Sequence, residues 1–484
     1  MKEKISDRRY DTRMWPSDWR YSAAIVGLIR FFEFCNIDYR CGNTEEQDKE
    51  DYIEYCSTDI QGENFQRQYL KFAESYFEEY MTHRKIEKIL EKEELSEKEI
   101  EEVNKNMVAK SVCKRVFGKL KYSAENKELI LKLIEENRDE FIQEIYQNPK
   151  EKDTYGKFAN TEKLFHGKEK VSRLIGYYVD LPKKGKSMSY NWNYKTYVAN
   201  DIQEFDFIPF AFTKTRDSYF INNNSSIANL CKTNDKLQEL LDEKNDKGLD
   251  RKPESIMFIA MQNSAPLLDY DVEIICKSKD NKSKDNKSKD NNKYYNTLYL
   301  RKGAVEIFRR LESTFNGKNI ADIIEKPCKL EKEYLPIQKL VIDSIINNIY
   351  LDSVIERILK DKEGINKSFL VSTLIKINQL IYGGENMDIK SYKARRTAEE
   401  VSKRLESNKI KSYKQKLISA ISFRDYDRFS EILLQFAAYA EVPFDFAYDL
   451  FDDFEANKNV AYAFVNGLND NNYSSNNNNE KEGQ

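Results

Sequence analysis

The sequence predicts an α+β protein: a mostly helical N-terminal domain carrying a small mixed β-sheet, followed by an all-α C-terminal helical bundle. Three observations predict it. Apolar residues recur at helical spacing from Trp19 to Tyr146. Short stretches rich in β-branched and aromatic residues, bounded by Pro, Asn and Asp, lie between Ile202 and Leu300. After Pro336 the helical period returns with short links, the pattern of an antiparallel bundle. With 16 Gly and 9 Pro in 484 residues, few turns punctuate these helices.

Taken in order, Pro16-Ser17-Asp18 precedes an apolar run from Trp19 to Phe34, with Ser17 as the expected N-cap. Ala23, Ala24 and Gly27 keep one face of this helix thin, so another element can approach closely. Phe65, Tyr69, Phe72, Tyr76 and Tyr80 mark an amphipathic helix. Ser96 and Glu99 form a capping box before an acidic helix. A further helix is predicted from Ala124 to Tyr146, with Leu129, Leu133 and Ile134 on its apolar side.

Strands are predicted at Ile202–Phe212, Ser218–Ile221, Ser255–Met261, Leu267–Cys276 and Tyr294–Leu300. Between the last two stand three tandem copies of Lys-Ser-Lys-Asp-Asn, a segment too polar to bury surface and expected to be disordered. The bundle is predicted to contain Ile337–Lys360, Asn366–Tyr382, Ile389–Leu405, Lys409–Ile421 and Asp425–Ala440, with breaks at Gly383-Gly384 and Val442-Pro443. The expected organisation is an N-terminal α+β domain over residues 1–330 with a disordered loop at 277–293. A helical bundle over 331–466 and a disordered Asn-rich tail over 467–484 complete it.

Composition narrows the function classes. Net charge is −3, which argues against a surface that coats nucleic acid everywhere but leaves room for local basic grooves. No apolar run approaches the roughly 18 residues of a membrane span, and the opening segment lacks the apolar core of a signal peptide, so a cytoplasmic protein is expected. The seven cysteines include no Cys-x-x-Cys pair, so reduced thiols and no zinc site are expected. Only two histidines occur. His83 reads as a surface residue near Glu78 and Glu79, and His166 as a helix-end residue. No phosphate loop, dinucleotide-binding turn or nucleophile elbow is present. The chain is therefore expected to have no catalytic residue and no cofactor. Asp269 and Asp271, alternating along a strand, are what a metal-dependent nuclease would use if it used anything here.

Three segments suit nucleic acid. Between Lys390 and Lys416 lie Lys390, Lys393, Arg395, Arg396, Lys403, Arg404, Lys409, Lys411, Lys414 and Lys416. Only Glu399, Glu400 and Glu406 oppose them, leaving a local net of +7 in a chain that is −3 overall. Two successive helices carrying these residues would offer phosphates a cationic stripe. Lys183, Lys184 and Lys186, followed by Tyr190, Trp192, Tyr194, Lys195 and Tyr197, combine phosphate contacts with stacking rings. Asn222, Asn223, Asn224 and Ser225, just after a strand, carry amides that can read base edges, although Asn and Ser are equally ordinary turn formers.

Three stretches together resemble the large-subunit family of the type I-B CRISPR interference (Cascade) complex. They are Asp18–Leu28, then Phe207-Ile208-Pro209-Phe210 leading to Phe220–Ser226, then Asn408–Tyr413. The resemblance implies an antiviral role beside guide RNA and the backbone and small subunits. There the large subunit checks the motif flanking a target in double-stranded DNA, stabilises the unwound strands and recruits a separate helicase-nuclease in trans. Protein reads the flank while base pairing reads the target. It also makes Asn222–Ser226 a contact with DNA or complex, the basic helices a path for the displaced strand, and Met387 a candidate start for a separately made small subunit. The paired Cys-x-x-Cys motifs that often describe the family are absent. The competing readings are a stand-alone RNA-binding scaffold and the nuclease built on Asp269 and Asp271.

Overall fold

The computed structural model describes residues 2–5, 9–43, 50–148, 154–166, 173–174, 201–215, 217–245, 261, 268, 270–277, 295–314, 320–331, 333–361, 367–383 and 387–468. The fold is α+β. Contacts divide it into two compact units, Met1–Pro253 with Asp271–Leu300, and Glu254–Tyr270 with Arg301–Gln484. The segments 183–197, 255–260 and 278–293 singled out in the sequence, together with Asp269 and the tail beyond Leu468, lie outside the described residues.

The first unit opens with a sheet that helical periodicity did not foretell. Strands β1 (Lys2–Lys4), β2 (Thr12–Met14), β3 (Arg40–Gly42) and β4 (Tyr52–Tyr55) pair antiparallel in the order β1-β2-β4-β3. The register places Arg13 and Arg40 on either side of Glu54. The Glu54 carboxylate is fully buried and accepts from Arg13 Nη2 at 2.6 Å and from Arg40 Nε at 2.6 Å. A lone buried carboxylate would be strongly destabilising, so the two guanidiniums secure the strand register.

Helix α1 (Trp19–Cys35) is capped by Asp18, not Ser17; the Asp18 side chain accepts from Arg20 N at 2.8 Å. Aspartate holds the same acceptor geometry as serine and adds a favourable charge at the helix N-terminus. The thin face of α1 receives the segment Gln203–Ala211, predicted as a strand and observed as a 3-10 helix. Its residues 204–211 are all buried, so the two-residue alternation of a half-exposed strand is missing, and Pro209 removes a ladder donor. A Cβ on Gly27 would lie 2.8 Å from the Phe207 carbonyl carbon and 2.9 Å from its Cβ, and only hydrogen leaves room.

Around this contact run α2 (Gly62–Tyr76), α3 (Thr82–Leu90), α4 (Glu97–Met107), α5 (Ser111–Phe117), α6 (Lys127–Glu136), α7 (Arg138–Gln147) and the single turn α8 (Tyr155–Phe158). The Ser96–Glu99 capping box forms. The predicted helix 124–146 is broken at Asn137, whose backbone leaves the helical region and whose side chain donates to Leu133 O. Phe31, Phe65, Tyr69, Phe72, Phe207 and Phe210 form one aromatic cluster with ring centroids 4.5–6.4 Å apart.

His83, expected on the surface, is buried. Its Nε2 lies 2.8 Å from Glu74 Oε1, and its ring stacks on Phe141 at 5.2 Å. The α3 periodicity turns it inward with Ile86 and Leu90. Arg138 also donates to Glu74, at 2.7 Å.

The second sheet joins β5 (Ser218–Asn222), β6 (Val272–Lys277) and β7 (Tyr295–Leu300), antiparallel in that order, with helix α9 (Ile227–Asn245) following β5. Lys277, expected to begin the disordered loop, instead closes β6, buried, with its ammonium 4.2 Å from the Tyr295 ring centre.

The second unit holds α10 (Lys302–Thr314), α11 (Ile320–Glu325), the ribbon β8 (Cys328–Lys329) and β9 (Tyr334–Leu335), then α12 (Ile337–Asn347), α13 (Asp352–Lys360), α14 (Ser368–Tyr382), α15 (Met387–Arg404), α16 (Ser407–Ser422), α17 (Tyr426–Ala440), α18 (Ala447–Asp452) and α19 (Phe454–Gly467). The predicted helix 337–360 breaks at Asn348, which adopts φ 52°. Helix α19, which no single prediction covered, is the bundle's most buried element. Asn459 on it accepts from Asn378 of α14 at 2.9 Å, and Asn466 donates to Ser368 O and Ser372 Oγ at 3.0 Å. Helix α15 packs Ala398 and the Arg395 backbone against Gly467, where a Cβ would sit 2.9 Å from that of Ala398.

Gly27→Ala should destabilise the chain by about 1–3 kcal/mol through overpacking, read as a lower denaturation midpoint. Burial raises the Glu74 carboxyl, but hydrogen bonds from His83 and Arg138 outweigh it and hold the group below its ordinary value. A depressed folded-state carboxyl stabilises above its unfolded pKa of about 4.3, and that contribution vanishes as pH falls through the folded value. Glu74→Gln should therefore lower stability at pH 7, with variant and parent converging in acid.

Candidate nucleic-acid interface

Helix α15 has two faces because its small residues recur at helical spacing. Ser391, Ala394, Ala398, Val401 and Ser402 are buried, and α19 packs on them. The opposite face therefore turns outward, carrying Tyr392, Lys393, Arg396 and Lys403, all exposed. The Arg396 guanidinium lies 5.9 Å from the Tyr392 ring centre and 3.9 Å from Glu399. Arg395 pairs with Glu399 at 3.2 Å, and Arg404 pairs with Glu400 at 2.5 Å while donating to Glu441 O. Lys390 pairs with Asp449 at 2.8 Å.

Helix α16 buries Ile410, Leu417, Ile418, Ala420 and Ile421. Its lysines do not share one stripe. Lys411 lies on one flank, exposed. Lys409 and Lys416, two turns apart, share the other flank with aromatic rings. The Lys409 ammonium is 5.6 Å from the Tyr439 ring centre, and that of Lys416 is 5.5 Å from Tyr413. Tyr413 stacks on Phe436 at 4.3 Å and approaches Tyr439 at 6.2 Å. Lys414 is turned inward and donates to Leu468 O at 2.9 Å.

The ten cations thus sort by environment. Lys390, Arg395, Arg396 and Arg404 have carboxylate partners, and Lys414 binds backbone. Lys393, Lys403, Lys409, Lys411 and Lys416 are exposed with no carboxylate partner among the described residues. Exposed ammonium groups beside ring faces can neutralise phosphate and stack bases at the same place. Tyr413 could have been read from its spacing to Lys409 and Lys416; Tyr439 arrives from another helix and left no local signal.

In the first unit, the Asn-Ser segment is the turn between β5 and α9. Asn222 and Asn223 are buried. Asn222 donates to Glu273 at 3.2 Å, and its Oδ1 is buried without a partner among the described residues. Asn223 donates to Thr233 Oγ1 at 2.8 Å. Asn224 is exposed and donates to Pro16 O at 3.2 Å, while half-buried Ser225 donates to Asn223 Oδ1. Ser226 caps α9 by accepting from Asn229 N at 3.0 Å. Two of the four residues therefore hold the strand-to-helix turn from within, and Asn224 and Ser225 reach solvent.

Lys183, Lys184 and Lys186 lie outside the described residues, as does Asp269; Asp271 is exposed just before β6. Among the described residues, no group of three or more His, Cys, Asp or Glu could hold a metal ion. All seven cysteines are free. Burial pushes the Cys41 and Cys231 thiols up to about 12, so neither is a ready thiolate. No helix among the described residues is long and apolar enough to cross a membrane.

The family model of CRISPR-associated protein Csx8 (Cas_Csx8) matches residues 10–468, and the chain belongs to that family. No curated protein and no solved structure matches it.

The lysine environments make a direct prediction. Lys414→Ala should lower stability by about 1 kcal/mol through removal of its hydrogen bond, whereas Lys411→Ala should stay within about 0.5 kcal/mol of the parent. Denaturant titration of both variants checks it; equal destabilisation would mean the two lysines share one environment.

Proposed function

We propose that this CRISPR-associated chain is the non-catalytic large subunit of a type I-B interference complex in the cytoplasm. It works beside guide RNA and the backbone and small subunits. It recognises the DNA flanking a target, stabilises the unwound strand and leaves cleavage to a helicase-nuclease recruited in trans. The observation that carries the reading is the set of exposed, carboxylate-free lysines on α15 and α16, two of which, Lys409 and Lys416, lie beside the rings of Tyr439 and Tyr413. Such a surface suits a single strand, whose phosphates need cations and whose unpaired bases need ring faces. The family membership and the absence of a recognisable catalytic motif in the sequence support the same reading.

Lys403→Glu, Lys409→Glu, Lys411→Glu and Lys416→Glu, combined in the assembled complex, should weaken target-DNA binding by about a hundredfold at physiological salt. They should also lower the slope of log K against log salt by about 2 to 3, near 0.7 for each single-strand phosphate that is no longer neutralised. Unchanged affinity and slope would make these helices ordinary surface. Magnesium-dependent DNA cleavage by the purified chain, abolished by Asp269→Ala, would overturn the non-catalytic reading. Binding of RNA with no dependence on flanking DNA would favour a scaffold instead.

A further inference from the structure

The second unit carries a second surface of opposite character. Residues 429–457 contain seven acids (Glu431, Glu441, Asp445, Asp449, Asp452, Asp453 and Glu455) and no lysine or arginine, a local net of −7. Within this stretch, α17, α18 and the link between them form an open cleft of about 200 Å³. Its floor is Leu433, Phe444 and Ala447, all buried. Its walls are Leu434, Tyr448 and Phe451, which are 57%, 76% and 42% exposed. Asp445 lines it, Glu431 lies one turn before Leu434 on the same face, and Asp452 follows Phe451.

We infer that this cleft docks a basic amphipathic helix of a partner protein, seating one large apolar side chain between Leu434 and Phe451 while its Lys and Arg residues meet the acidic rim. The chemistry selects this occupant. The cleft is smaller than the roughly 300 Å³ at which small-molecule sites begin, yet large enough for one anchoring side chain. An acidic rim, with Asp445 in the lining and Glu431 and Asp452 beside it, repels nucleic acid and anionic lipid, and attracts a cationic segment. The neighbouring elements are helices, with no strand edge to extend, which favours a helix laid in a groove. The chain's own segment 469–484 holds one large apolar residue, Tyr473, and no helical apolar stripe to fill the cleft. A second copy would have to offer its basic helix α15, a head-to-tail contact with no built-in closure. The inference stands independently of where nucleic acid binds.

The test titrates full-length chain against three fluorescent 18-residue peptides and reads anisotropy. One peptide alternates Leu and Lys at helical period, one replaces its Lys with Glu, and one replaces its Leu with Ser. Only the Leu/Lys peptide should bind. Leu434→Ser with Phe451→Ser, both at exposed positions that leave every charge in place, should weaken it at least tenfold. Glu431→Lys with Asp445→Lys should weaken the Leu/Lys peptide and admit the Leu/Glu peptide. Equal binding of the Lys/Ser peptide, or no effect of the Ser substitutions, would overturn the inference. So would sedimentation showing that the parent self-associates through this cleft and the Ser variant does not.

Discussion

Two carboxylates buried in one short segment organise the first unit. The segment Gln203–Ala211 lies against α1 along its whole length, yet carries Glu204 and Asp206 with no exposed surface. Leaving either without partners would be more unfavourable than the surrounding aromatic packing could offset. Asp206 is accordingly met by Arg173 at 2.5 Å, by the Tyr155 hydroxyl at 2.5 Å and by Phe165 N at 3.0 Å. Burial still drives its carboxyl above the ordinary range. Arg173, itself fully buried, reaches Asp201 and the His166 carbonyl as well. Glu204 takes the Tyr55 hydroxyl at 2.7 Å and the Lys2 ammonium, which ties two strands of the N-terminal sheet, β1 and β4, to the same segment. Through Glu204 the sheet, and through Asp206 the residues Tyr155, Phe165 and Arg173, are therefore each tied to this one segment inside an aromatic core.

The second unit solves a different problem, which is how to turn charge outward by sign. Small residues on α15 let α19 approach closely, and that approach leaves Tyr392, Lys393, Arg396 and Lys403 facing solvent. Helix α16 commits Lys414 to a backbone carbonyl and keeps Lys409 and Lys416 beside rings. The stretch that follows, from Phe429 to Asn457, carries only acids among its charged residues. A net of +7 over residues 390–416 stands against −7 over 429–457, and Lys390 joins the two stretches at Asp449, so an overall charge of −3 conceals strong local charge of both signs.

Much of the fold was legible in the sequence. Periodicity located α1, α2 and, in the bundle, α12 to α17, with α12 and α13 read as one helix; the Ser96–Glu99 spacing identified its capping box, and the small residues at 23, 24 and 27 announced a close approach. What escaped depended on distant partners. Strands β1 to β4 are three or four residues long and are held by register across Glu54, which no local window contains. Gln203–Ala211 has strand-like composition, but its burial on all sides is set by α1. His83 looked solvated beside Glu78 and Glu79 until α3 turned it onto Phe141. The candidate site followed the same rule. The basic cluster was plain as composition, whereas its division into paired, inward and open lysines required the fold. Asn222 and Asn223 show the converse, residue types suited to base reading that the turn itself consumes.

In the function we propose, the α15–α16 surface holds single-stranded target DNA against Tyr413 and Tyr439. Photocrosslinking tests it most directly, with bromodeoxyuridine placed along the displaced strand of target DNA bound by the assembled complex. Crosslinks should map to Tyr413 or Tyr439 in this chain. Crosslinks confined to other subunits, or to this chain at sites outside residues 387–440, would contradict it.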